Sequence, residues 1–176
     1  SSGSTDIFVA KYNSSGVLQW ATRAGGSRQD SARSITLGET LGSGAITGSI
    51  RGPAQFDNFR ILADTDVSSP YVATFTPNGR FIWVNHMQST GNAVGTSIGS
   101  DNSRHIYVMG EYFGEIDFDD EENATTLTSE GSNDIFLAHY EPNGDLVWAE
   151  SAGGEGDDAA GDILVEPIAG DFYITG

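Results

Sequence analysis

The stretch DIFVAKYNSSGVLQWA at residues 6–21 returns as PYVATFTPNGRFIWVN at 70–85 and as DIFLAHYEPNGDLVWAE at 134–150. Self-similarity at this spacing marks a stack or ring of copies of one supersecondary unit, and it decides the architecture before any other signal. The tryptophans set the period: Trp20 to Trp83 is 63 residues and Trp83 to Trp148 is 65. The rest of the unit repeats with them. AITGSI (45–50), YVMGEY (107–112) and YITG (173–176) fall in one column, and RAGGSRQDSARSI (23–35) matches SAGGEGDDAAGDI (151–163).

Each unit predicts four strands. The first covers 6–12, 71–75 or 134–140, where apolar and polar residues alternate at strand period. A turn follows at NSSG (13–16), TPNG (76–79) or EPNG (141–144), where Asn-Gly suits the positive φ angles of a tight hairpin. The second strand covers 17–24, 81–87 or 146–152, and a Gly-rich connection leads to a third at 32–37, 93–99 or 159–166. The small side chains of the third strand predict close backbone approach. The fourth covers 44–50, 105–113 or 171–176. No dozen residues carry helical spacing with a capping box. Four-stranded antiparallel units repeated about an axis are the pattern of β-propeller blades. A β-sandwich is the alternative, but it gives no reason for the self-similarity.

The fold class expected is therefore all-β, a propeller of four-stranded blades with about three blades' worth of strands. The chain reads as one domain over 1–176, with repeat 1 at about 6–68, repeat 2 at about 69–133 and a partial repeat 3 at about 134–176. Residues 1–6 align with 129–134, and 173–176 with 107–110, so both ends fall inside a repeat. The chain is expected to hold the last two strands of one blade, two full blades and the first two strands of another. Three blades are too few to close a ring, since propellers run from about four to eight. Either further blades of a longer chain complete the arc, or two copies associate into six.

The order Asp-Ile-Phe-Val-Ala-Lys-Tyr, then Asn-Gly, a Leu-x-Trp-Ala strand, Ala-Gly-Gly and Tyr-Ile-Thr-Gly resembles the bacterial β-propeller repeats called SBBP repeats. The likeness covers nearly the whole chain, and the middle copy departs most, with PYVATF for DIFVAKY and HMQSTG (86–91) for the Ala-Gly-Gly segment. A weaker similarity runs to the Gly-x-Leu-x-Trp repeats of quinoprotein-type propellers. The resemblance implies a secreted or cell-surface bacterial setting and no general catalytic motif.

Charge narrows the partners. The 176 residues carry 25 acidic groups against 8 Lys and Arg, a net charge of −17 in which Lys11 is the only lysine. Such a field repels phosphate backbones, so nucleic acid is excluded as an expected partner. No apolar run is long enough for a transmembrane helix, and no N-terminal signal peptide is visible. With no cysteine there is neither disulfide nor thiolate metal site.

The period-locked aromatics Trp20, Trp83, Trp148, Phe8, Phe136, Tyr12, Phe75 and Tyr140 are expected to form the structural core of the repeat. The competing reading of the tryptophans is sugar stacking. The run Asp117, Asp119, Asp120, Glu121, Glu122 within 111–128 is a calcium candidate, through Asp117, Asp119, Asp120 and Glu122, because calcium takes about six to eight oxygen ligands. Its spacing is not that of an EF-hand, and a charge run is more often a solvated face. Apart from calcium no cofactor is expected. No catalytic residue is expected: His86, His105 and His139 show no metal-binding spacing, and there is no G-x-S-x-G elbow. The function expected is a non-catalytic interaction or scaffold module at the cell surface, with the excursions 51–66 and 111–128 as contact segments. The alternatives are a glycan-binding propeller and a hydrolase completed by other blades.

Overall fold

The computed structural model describes residues 5–38, 42–64, 66–118 and 125–176. The described residues form strands and loops, with no helix long and apolar enough to cross a membrane. In chain order, β1 (Ile7–Tyr12) and β2 (Leu18–Gly26) form one hairpin, and β3 (Ser31–Leu37) and β4 (Gly44–Ile50) another. The excursion after β4 folds as a small hairpin, β5 (Ala54–Phe56) and β6 (Phe59–Ile61). Next come β7 (Ser69–Phe75), β8 (Phe81–His86), a two-residue continuation β9 (Gln88–Ser89), β10 (Ala93–Ser100) and β11 (Ile106–Tyr112). The second excursion gives β12 (Glu115–Asp117) and β13 (Thr126–Thr128), followed by β14 (Asp134–Tyr140), β15 (Leu146–Ala152), β16 (Ile163–Val165) and β17 (Phe172–Ile174).

Two sheets are complete four-stranded antiparallel blades, ordered β3-β4-β7-β8 and β10-β11-β14-β15. Each takes its first two strands from the end of one repeat and its last two from the start of the next. The joint is continuous: Gly44↔Phe75 through Ile50↔Ser69 pair without a slip, as do Ile106↔Tyr140 through Tyr112↔Asp134. The flanking pairs β1–β2 and β16–β17 are half-blades. All twelve expected strands are present, although the third strand of the last repeat is only Ile163–Val165.

The turns differ from the expected form. Gly16, Gly79 and Gly144 take φ of 76°, 78° and 99°, while Asn78 and Asn143 stay at negative φ. Each glycine amide donates to the carbonyl three residues back, Asn13, Thr76 or Glu141, at 3.0, 2.9 and 2.9 Å. A register shift follows at the same column of each hairpin. This is a type I turn closed by a left-handed glycine and a bulge, which demands glycine at one position only.

The core lies in the seams between sheets. One cluster joins Ile7, Val9 and Ala24 to Ile46, Tyr71, Phe75 and Phe81 across the first seam. A second joins Ala45, Val72 and Trp83 to Ile98, Val108, Phe136 and Tyr140. A third joins Tyr107, Met109 and Leu137 to Ile163 and Val165. The inner strand β10 meets its neighbours closely: a Cβ on Gly95 would collide with Thr47 Oγ1 of β4, and one on Gly99 would come within 2.5 Å of Val165 Cγ2 of β16. The small residues expected there serve this contact.

Of the aromatics expected in the core, Phe75, Phe136, Tyr140 and Trp83 are buried, and Trp20 and Trp148 are half-buried. Phe8 and Tyr12 correct the expectation: they are 73% and 61% exposed. Their equivalents Phe136 and Tyr140 are covered because β14 pairs with β11, whereas β1 pairs with β2 alone among the described strands. Repeat position sets the side chain, and the neighbouring strand sets its burial.

Candidate interaction groove

The excursion hairpins are equivalent to one another. β5 pairs with the end of β2 (Ala24↔Phe56, Gly25↔Gln55), and β12 pairs with β9 (Asp117↔Gln88) just past β8. Each reaches back to the outer strand of the preceding sheet and buries one phenylalanine. Phe56 packs against Tyr71 and Phe81 at 5.1 and 5.2 Å between ring centroids, and Phe118 against Phe136 at 5.5 Å. The sequence left both excursions without strands, although Ala-Gln-Phe-Asp-Asn-Phe carried the signal. Asp57 turns that hairpin at φ 47°, and its carboxylate accepts the Phe81 amide at 3.0 Å.

Anchored this way, the two excursions border an open groove of about 750 Å³. Arg60 and Leu62 stand on one wall, Val84 and His86 on the other, and Phe118 and Leu146 line it further. β6 is the last strand of its sheet and β8 the last of the next, and residues of both edge strands line this space. Leu62 is 72% exposed. Asn85 donates from Nδ2 to the Gly144 carbonyl at 2.5 Å, tying the wall to the following blade. Opposite charges, Arg60 and Asp145, line the same groove. Apolar side chains, one charge of each sign and two backbone edges together suit an extended polypeptide.

The tryptophans hold the wall in place. Trp20 Nε1 donates to the Pro77 carbonyl at 2.8 Å, and Trp83 Nε1 to the Pro142 carbonyl at 3.0 Å. Each ring covers the turn glycine of the next blade: a Cβ on Gly79 would lie 2.5 Å from Trp20, and one on Gly144 would lie 3.0 Å from Trp83. Phe75 and Tyr140 complete the contact at 6.0 and 6.2 Å. Trp148 occupies the same column but rests on Phe172 and His139, at 5.8 and 5.5 Å.

The acidic groups divide. Asp30 is buried, and its carboxylate accepts the amides of Gly26 at 2.6 Å and Arg51 at 3.1 Å. Burial raises its pKa above the ordinary carboxylate value. Its equivalent Asp158 accepts the Gly154 amide at 2.9 Å, so this acidic turn braces a loop. Of the calcium candidates, Asp119, Asp120 and Glu122 lie outside the described residues, and Asp117 sits in β12. Among the described residues no group of three or more His, Asp or Glu could hold a metal ion.

Sequence spacing kept the histidines apart, yet the sheet brings two together. His105 bonds Asp101 through Nδ1 at 2.9 Å and Glu141 through Nε2 at 3.2 Å. His139 stacks on its cross-strand neighbour Tyr107 at 4.4 Å and meets the His105 ring edge-on at 5.1 Å. Burial first, and then the His105 charge, hold the His139 imidazole below its usual pKa. The pairing of Tyr107 with His139 follows from aligning the strands. His86 is separate, in the groove wall.

No family model matches the chain. The chain is similar to an uncharacterised WD repeat-containing protein of Acanthamoeba polyphaga mimivirus, 25% identical over 170 residues. The match covers 88% of this chain and 12% of that protein's length. The fold is that of propeller blades. With four-stranded antiparallel sheets in place, the similarity to a WD repeat-containing protein supports a β-propeller repeat. The relative is viral, and the bacterial SBBP family read from the motifs is not shown.

Proposed function

We propose that this chain is a non-catalytic scaffold that binds protein partners, capturing an extended segment of another protein in the groove between β6 and β8. The observation that carries the reading is the pair of strand edges facing one open, mixed-polarity groove. An extended peptide there gains backbone hydrogen bonds from an edge and side-chain specificity from the walls. Relatedness to a WD repeat-containing protein is in keeping with an interaction role. The carbohydrate alternative has less support, because Trp20 and Trp83 are engaged in the seams and offer no free ring platform. The proposal includes a second class of partner, another copy of the chain along its open edges, and the setting outside a bacterial cell that the repeat resemblance implies.

The test is a peptide display selection on the immobilised chain, followed by titration of an enriched peptide. Arg60→Glu and Leu146→Asp should each weaken binding by about tenfold or more, while Gln19→Ala, away from the groove, should leave it unchanged. Selected peptides that bind all three variants equally would overturn the groove assignment.

A further inference from the structure

The second seam holds a pocket that the third seam fills, and the difference lies at one cross-strand pair. In the third seam that pair is Tyr107↔His139, whose rings stack at 4.4 Å. Phe172 reaches Tyr107 from the facing sheet at 5.5 Å, and Trp148 lies on Phe172 and His139. In the second seam the same register holds Ala45↔Thr74, and the counterpart of Phe172 is Ile106. Two small side chains and one branched aliphatic chain stand where the other copy has three rings. Trp83 does not recover the space, because its indole is engaged with Pro142 and Gly144.

The space left is a pocket of about 170 Å³ between the two complete blades. Phe75, Pro77, Ile82, Ile106 and Pro142 give it apolar walls, and it shares no lining residue with the groove. A cavity of about 150 Å³ takes one benzene ring. The room is therefore that of a ring the second seam lacks.

Two polar residues line the same space. Thr74 is 9% exposed, and among the described residues its hydroxyl has no hydrogen-bond partner, a deficit that a bound polar group would relieve. Arg104 is the other. It takes φ of 70°, in the left-handed region that suits glycine, and its counterparts in the other two copies of this loop are Gly42 and Gly170, at 86° and 73°. Only the middle copy places a side chain at this position. The carboxylates of Asp101 and Glu141 are both held by His105, at 2.9 and 3.2 Å. Among the described residues the Arg104 guanidinium makes no ion pair or hydrogen bond.

The geometry points to a binding site in this pocket for a small aryl carboxylate, one aromatic ring bearing one carboxylate group. The ring takes the space that Tyr107 and His139 fill in the third seam, against Ile82, Ile106 and the two prolines. The carboxylate accepts from the planar guanidinium of Arg104, whose fork matches its two oxygens. Thr74 has a hydroxyl to offer a polar atom of the ligand. On a chain of net charge −17, an unpaired arginine in an apolar pocket is a local seat for an anion that the rest of the surface repels. The site goes beyond the peptide groove and does not depend on it.

Benzoate is the probe, titrated into the chain with isotope-labelled isoleucine methyl groups and followed by NMR. The Ile82 and Ile106 methyls should shift along saturable curves, while Ile61, in the groove, stays unmoved. Benzyl alcohol keeps the ring without the charge, and acetate keeps the charge without the ring. Each should bind weaker than benzoate by about tenfold or more. Arg104→Gly installs the residue of the other two loops, so it should fold with a urea midpoint no lower than the parent's, yet lose about tenfold or more in benzoate affinity. Thr74→His installs the third-seam residue and should weaken benzoate similarly by occupying the pocket. Far-UV circular dichroism checks that both variants fold. Shifts that stay linear in benzoate, Ile61 shifts as large as those of Ile82, or equal affinity in Arg104→Gly and the parent would overturn the inference. Peptide binding at the groove, measured on the same samples, fails or survives independently.

Discussion

Replacing Trp83 by alanine removes the best-packed of the three seam tryptophans. The residue is 8% exposed, its ring lies over Gly144 and beside Tyr140, and its Nε1 donates to the Pro142 carbonyl at 3.0 Å. Large-to-small changes of buried aromatics cost about 3–5 kcal/mol, because lost transfer energy and an unfilled cavity add. Trp83→Phe separates the contributions: it keeps most of the ring and leaves the Pro142 carbonyl without its donor, a loss of about 1–3 kcal/mol. Trp148→Ala in the monomer should cost less than Trp83→Ala, since the ring is only half-buried and makes no bond to a turn. Urea denaturation followed by circular dichroism gives all three values, provided the slope with denaturant is unchanged. If Trp83→Ala costs under about 1 kcal/mol, or no more than Trp148→Ala, the seams are not held as described.

Other outcomes follow from single contacts. Gly79→Ala and Gly16→Ala share the strain of a side chain at positive φ, but only the first drives a Cβ into a tryptophan ring. Gly79→Ala should therefore be the more destabilising by about 1–3 kcal/mol in urea melts. His139 has its pKa lowered in the fold, so the folded state disfavours its charged form. Its contribution to stability is complete above the unfolded value near 6.5 and is lost as pH falls through that value toward the folded one. His139→Phe should flatten the dependence of the urea midpoint on pH in that window, and an unchanged dependence would assign it to another group. Asp30→Ala leaves the Gly26 and Arg51 amides without their acceptor and should cost about 1–3 kcal/mol, read as a lowered thermal midpoint.

The strands were legible because one pattern is written three times, and alternation, turn and tryptophan fix each other's places. Membership of blades was legible too, since 173–176 align with 107–110 and place the seam inside the repeat. Burial was not legible from position alone. Phe8 and Phe136 share a column, but only Phe136 has an inner strand beside it. The excursions hid their hairpins because β5 and β12 are three residues long and pair with strand segments about 30 residues back in the same repeat. The groove could not be read at all: Arg60, Val84 and Leu146 come from three distant segments, and its edges exist only through the order of strands in two sheets. For the same reason the contact of His105 with His139 emerges only once β11 is set against β14.

Hydrogen exchange of the three indole N–H groups, resolved by NMR, tests the seam account most directly. The account predicts slow exchange for Trp20 and Trp83, which donate to Pro77 and Pro142. It predicts faster exchange for Trp148, which makes no such bond to a turn among the described residues. Equal, fast exchange at all three would contradict the tryptophan seams.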